Sequence, residues 1–152
     1  ILMVGAGPYK DHLAKMVSDL KVAGSITFIG RIEHADLPRY ISVGDVFAMP
    51  SRSRLAGLEV EGLGIVYLEA SACELPVIAG KSGGAPDAVL EGETGITVDG
   101  TNPSEIAKAV ISLFDDPARA SAMGKQGRQW IYDNWRWEIW ASKFNQLLYT
   151  NS

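Results

Sequence analysis

The sequence predicts an α/β domain built on a parallel sheet. Short apolar runs at residues 1–4, 26–29, 46–49, 76–79 and 95–98 alternate with longer stretches of helical spacing. Most of these runs are apolar on both faces, the pattern of strands covered by helices above and below. The 152 residues are one domain's length, and 47% hydrophobic residues suffice for a full core, which excludes a disordered chain.

Ile1 to Val4 is wholly apolar and stops at Gly5, so it reads as a buried strand. Leu13, Met16, Val17 and Leu20 then recur at helical spacing, and Pro8 suits the first turn of a helix over 8–22. The run 26–29 is the next buried strand, closed by Gly30. Asp36 is placed to cap a short helix whose first turn holds Pro38. A third strand at 46–49 stops at Pro50. The connection over 50–62 is long for a strand-to-helix link, and loops of that kind more often carry function. A helix over 63–74, a strand over 76–79, a glycine-rich loop over 80–86, a helical turn over 87–90 and a strand over 95–98 follow. Asn102-Pro103 and Asp116-Pro117 are cap-then-proline starts for helices near 103–115 and 117–132, and 137–149 is the last helix.

Charge and cysteine content exclude several functions. Acidic residues number 18 and basic residues 14, giving a net charge of −4 with the cations scattered. Nucleic acid needs a concentrated basic surface and is therefore not the expected partner. Cys73 is the only cysteine, which excludes an internal disulfide and a cysteine metal cluster and suits a reducing, cytoplasmic setting. No apolar run approaches the roughly 18 residues of a membrane helix, and no secretory signal is present. His12 and His34 are far apart, and neither stands beside a nucleophile, so a hydrolytic triad or zinc site is not expected.

In open α/β sheets, ligands bind beyond the carboxyl ends of the strands, which directs attention to the loops at 5–8, 30–36, 50–62 and 80–86. Gly5-Ala6-Gly7 invites a dinucleotide reading, but Lys10 stands where a third glycine belongs and no acidic residue closes the second strand. A tight strand-to-helix turn explains it better. The strongest local signal is Glu61-Gly62-Leu63-Gly64-Ile65-Val66-Tyr67-Leu68-Glu69. Glycines at a helix entrance let a ligand reach the backbone, and free N–H groups there favour an anion. The amides of Gly64, Ile65 and Val66 are the natural donors to a diphosphate. Glu69 lies about one turn, roughly 5–6 Å, beyond Ile65, within reach of a ribose attached to that diphosphate. Its helix reads as apolar on most faces, where a lone carboxylate is costly without a partner. Glu61 fits either a sugar beyond the phosphates or an ordinary first-turn acid. Arg31 and Ile32 follow a strand end and fit a base pocket or a plain surface loop. Ser82-Gly83-Gly84 fits a backbone cradle or simple loop flexibility, and Arg52 and Arg54 fit an anionic acceptor or a solvated loop. Trp130, Trp135, Trp137 and Trp140 read as aromatics fastening a terminal helix rather than as a carbohydrate or membrane platform. Cys73 reads as an inert core residue.

The spacing from Glu61 to Glu69 is E-x7-E, and the sequence resembles retaining glycosyltransferases of family 4. The same order of motifs runs through the chain: Val4-Gly5-Ala6-Gly7-Pro8, Phe28-Ile29-Gly30-Arg31, Asp45 to Arg52, Pro76 to Gly80, Gly83-Gly84-Ala85-Pro86 and Gly92-Glu93-Thr94-Gly95. The stretch Val60 to Ala70 looks most like actinobacterial phosphatidylinositol-mannoside mannosyltransferases. The resemblance implies a Rossmann-like, doubly wound parallel sheet, the carboxyl-terminal half of a GT-B fold. It implies a nucleotide-sugar donor, GDP-mannose, and a lipid acceptor at the inner face of the plasma membrane. Metal and other cofactors are not implied. Glu61 would contact the donor hexose with Leu63 and Gly64, Ile65 and Val66 would bind the diphosphate, Glu69 the ribose, and Arg31 and Ile32 the base. Asp87 stands where many relatives carry Glu.

The family's first strand ends in Gly-Arg, near a Lys, and these cations face the donor phosphates. Nothing here matches them. The expectation is therefore a donor domain lacking its first strand, with unpaired edges on the flanking strands, no amino-terminal acceptor domain, and weak nucleotide binding without transfer. The alternatives are a non-catalytic nucleotide- or glycan-binding scaffold and, less well supported, a nicotinamide-dependent oxidoreductase domain.

Overall fold

The computed structural model describes residues 1–149. They fall into two compact units, Ile1–Gly44 and Asp45–Ser152.

In the first unit, β1 (Leu2–Val4) and β2 (Thr27–Gly30) pair in parallel, joined through α1 (Lys10–Asp19), and α2 (Leu37–Ile41) follows. The α1 helix starts later than expected, because Pro8 and Tyr9 form a turn ahead of it. It stops earlier because Lys21 takes a left-handed backbone, φ 57°, that reverses the chain. Asp36 occupies the N-cap of α2 but its carboxylate makes no cap; it faces Arg39 at 3.6 Å instead. The expectation of a first strand buried on both faces fails, and so does that of a buried second strand: Leu2 and Val4 are 40% and 38% exposed, and no residue of β2 is buried. One paired neighbour and an α1 without a buried residue leave β1 uncovered.

The second unit holds a parallel sheet in the order β3 (Phe47–Met49), β4 (Val77–Gly80), β5 (Gly95–Val98). Here the buried-strand pattern holds for the central strand, whereas no residue of β3 is fully buried. β4 lies between two strands and all four of its residues are buried. Helices α3 (Ile65–Ala72), α4 (Pro103–Phe114), α5 (Pro117–Asn134) and α6 (Trp137–Tyr149) complete the unit. Ile78 and Val98 pack with Ala109, Leu113, Ala120 and Met123 in its core. Both proline-marked helix starts are capped: Asn102 accepts from the amides of Ser104 and Glu105, and Asp116 from Arg119. Among the described residues the pairing divides into two parallel sets, and β1, β2, β3 and β5 each have a strand on one side only.

Two further expectations change. Cys73 is half-exposed at the C-cap of α3, because the helix ends there rather than continuing to Glu74. Trp130, Trp135 and Trp140 do fasten α5 to α6, with ring centroids 5.7 and 5.8 Å apart along the series. The Trp140 indole also donates to the Asn134 carbonyl at 2.9 Å. Trp137 takes no part in that stack and is 87% exposed. Among the described residues no helix is long and apolar enough to cross a membrane.

Candidate functional site

The loop after β3 and the start of α3 build the site, and glycines decide its shape. Past Met49 the chain turns at Pro50 and Ser51, and the Ser51 backbone passes against Gly80 at the end of β4 and Gly100 beyond β5. A Cβ at Gly80 would collide with the Ser51 amide and carbonyl. The loop then makes a small hairpin closed by Arg54 and Glu59, whose side chains lie 3.5 Å apart. Leu55 and Ala56 at its tip have φ of 48° and 53°, a conformation that costs ordinary residues about 1–2 kcal/mol each.

Glu61 is fixed at both backbone and side chain. Its amide donates to the Ser82 hydroxyl at 3.2 Å, and its carbonyl accepts from the Gly84 amide at 3.0 Å. Its carboxylate accepts from the Ser51 hydroxyl and from the Gly62 amide, both at 3.2 Å. A Cβ at Gly83 would collide with the Glu61 carbonyl, and one at Gly84 with the Gly62 carbonyl. The glycine-rich loop is therefore neither slack nor a free cradle; its glycines let it lie flat against the Glu61 loop.

Gly64 has φ 74° and forms the N-cap of α3. A Cβ there would run into the ring of Tyr67, which folds back over the first turn. The amides of Gly64, Ile65 and Val66 donate to no described residue, as the open start of a helix requires. Met49, Glu61, Leu63, Gly64, Ile65 and Val66 line a cavity of about 470 Å³. A larger groove, about 610 Å³, runs along α6 alone and gathers no comparable set of groups.

Tyr67 is fully buried. Its hydroxyl donates to the Met49 carbonyl at 2.7 Å and lies 2.8 Å from the Ser51 hydroxyl. Its ring meets Phe47 edge to face at 6.3 Å. Burial raises the pKa of its hydroxyl above the ordinary value, the Ser51 hydrogen bond opposes this, and the Glu61 charge pushes the same way as burial.

The second unit thus brings Glu61, Leu63, Gly64, Ile65 and Val66 to one cavity. Glu69 lies one turn further along α3, half-buried, with no partner for its carboxylate among the described residues. The helix is less buried than its sequence suggests: Ile65 is 66% exposed, and Ile65, Glu69 and Ala72 share its open side. Arg31 and Ile32 follow β2 in the first unit, Arg31 exposed and Ile32 half-buried. Sequence reasoning missed the roles of Ser51 and Tyr67, and it picked out the Ser82 segment only for its glycines. A polar-tipped Tyr67 inside an apolar helix was the available signal, because a buried tyrosine hydroxyl needs a partner.

The family model described as glycosyl transferases group 1 matches residues 1–130. The chain belongs to this family. Within it, the chain is 53% identical over 148 residues to a GDP-mannose-dependent alpha-(1-6)-phosphatidylinositol monomannoside mannosyltransferase of Mycolicibacterium smegmatis, covering 97% of this chain and 39% of that protein. Its fold superimposes on a sucrose-phosphate synthase from Thermosynechococcus elongatus with a TM-score of 0.86 and 32% identity, over 99% of this chain and 39% of the other. It also matches the C-terminal domain of a glycosyl transferase group 1 family protein from Francisella tularensis, TM-score 0.73 and 25% identity, over 85% of this chain and 63% of that one. The group 1 fold found here is the expected α/β architecture of parallel strands and helices that GT-B carboxyl-terminal domains share.

Proposed function

We propose that this chain is the donor-binding part of a retaining mannosyltransferase, which takes GDP-mannose and transfers the hexose to an acceptor hydroxyl. The observation that carries the reading is the cavity at the start of α3, with three amides that donate to no described residue, flanked by the carboxylates of Glu61 and Glu69. Amides at a helix N-terminus suit a diphosphate, because donors and dipole both favour negative charge. Glu69, one turn on and without a partner among the described residues, accepts from the ribose hydroxyls. Glu61 accepts from the hexose hydroxyls on the other side of the phosphates, beside the Leu63 and Gly64 backbone. Chemically the demand is to stabilise the departing diphosphate, and fixed amides pointing at developing charge serve that need without a covalent nucleophile. The reading assigns no step to a metal.

The acceptor is a phosphatidylinositol mannoside lipid, which places the protein at the cytoplasmic face of the membrane, with the acceptor held by a second, amino-terminal domain. The similarity to the Mycolicibacterium enzyme, with its donor and acceptor named above, supports this choice of substrates. A screen of the full-length protein against GDP-, UDP- and ADP-sugars with a phosphatidylinositol monomannoside acceptor tests the reading. Mannolipid formed from GDP-mannose is the expected result. Nucleotide binding with neither transfer nor donor hydrolysis would favour the scaffold reading instead.

A further inference from the structure

Ser82 is 2% exposed, and its backbone is held on both sides: its amide donates to the Gly80 carbonyl at 2.9 Å, and its carbonyl accepts from the Ala85 amide at 3.1 Å. Its hydroxyl reaches two residues that stand on opposite stems of the hairpin closed by Arg54 and Glu59. On the returning stem, the Glu61 amide donates to Ser82 Oγ at 3.2 Å. On the outgoing stem, Ser53 Oγ lies 3.1 Å away. Burial decides the direction of that second bond. Ser53 is the only acceptor that the Ser82 hydroxyl meets among the described residues, and a buried O–H without an acceptor is costly. Ser82 therefore donates to Ser53, and the exposed Ser53 turns its own proton to water. Each contact then has one donor and one acceptor.

We infer that Ser82 is a positioning residue for Glu61. The loop at the end of β4 grips the Glu61 backbone twice: Ser82 Oγ accepts from its amide, and the Gly84 amide donates to its carbonyl at 3.0 Å. Two bonds at opposite ends of one residue fix the direction in which its side chain leaves the chain, whereas one alone leaves a pivot. By holding Ser53 as well, Ser82 closes the base of the hairpin, so the strained tip at Leu55 and Ala56 is kept from shifting Glu61. The effect is confined to the sugar end of the donor. The amides of Gly64, Ile65 and Val66 belong to the start of α3 and Glu69 to its next turn, and Ser82 bonds to none of them. This inference rests on the reading of Glu61 as the carboxylate that holds the donor hexose.

The test uses the full-length protein with GDP-mannose as donor and GDP as the sugar-free ligand. Ser82→Ala removes the hydroxyl, and Ser82→Cys fills the same space with a weak acceptor, which keeps the test open if the alanine variant folds poorly. Either should lower kcat/KM for GDP-mannose about tenfold, short of the roughly hundredfold that a displacement of about 1 Å brings, because the Gly84 bond remains. The dissociation constant for GDP should stay within about twofold of wild type. A Glu61→Ala background separates positioning from plain stability: there the Ser82 change should cost less than about twofold more, since no carboxylate is left to misplace. Ser82 variants that match wild type, that lose GDP affinity in step with kcat/KM, or that lose as much again in the Glu61→Ala background overturn the inference while leaving the donor reading intact. A wild-type protein that uses no nucleotide sugar overturns the donor reading, and the inference with it.

Discussion

The Gly84 amide donates to the Glu61 carbonyl oxygen at 3.0 Å, and this bond fixes the height of the Glu61 loop above the glycine-rich loop. A Cβ at Gly84 has no room beside the Gly62 carbonyl. Gly84→Ala must therefore push the Glu61 loop away from the cavity. Displacement of about 1 Å in a positioned group can cost roughly a hundredfold in rate. We expect kcat/KM of the full-length protein to fall at least tenfold, with a lower Tm. A Gly84→Ala protein with wild-type kinetics would show that the loop contact does not position Glu61.

Alkaline pH should destabilise this domain through Tyr67. Its pKa is raised in the fold, with burial as the largest cause. The unfolded chain releases the phenol proton near the ordinary value of about 10, whereas the folded chain still holds it. Above that pH the unfolded state binds fewer protons, so stability falls as pH rises. The contribution is intact below pH about 10 and is lost through the folded pKa. Thermal unfolding followed from pH 8 to 11 should show the decline, and Tyr67→Phe should flatten it.

Away from the cavity, Asp116 caps α5 by accepting from the Arg119 amide at 3.0 Å. Asp116→Ala should cost about 1 kcal/mol of stability, the usual worth of an N-cap. Denaturant unfolding reads the loss, and KM for the donor should not move. A change in KM would mean that α5 is coupled to the site.

Much of this architecture is legible in the sequence, and the exceptions have physical causes. Asn102 and Asp116 announce their helices because capping is local chemistry: a side-chain oxygen beside amides two or three residues on. The strand at 77–80 is legible because burial on both faces leaves an unbroken apolar run. The same rule fails for Leu2 and Val4, since an apolar run records only that a strand suits burial, not that anything covers it. Glu61 and Glu69 are visible through their spacing around a glycine-marked helix start. Ser51 and Tyr67 are 16 residues apart, and the contact between them exists only once α3 packs against the end of β3. Nor does Gly80 declare locally that it makes room for Ser51, because that need arises between strands.

The account stands or falls on the α3 start as a nucleoside diphosphate site. Glu69 isolates that claim, since its carboxylate has no described partner and its removal should leave the fold undisturbed. Calorimetric titration of the full-length protein with GDP, wild type against Glu69→Ala, is the direct measurement. The account predicts binding at least about tenfold weaker in the variant, as expected for hydrogen bonds to a charged acceptor, with an unchanged Tm. An unchanged dissociation constant in a folded Glu69→Ala protein would contradict it.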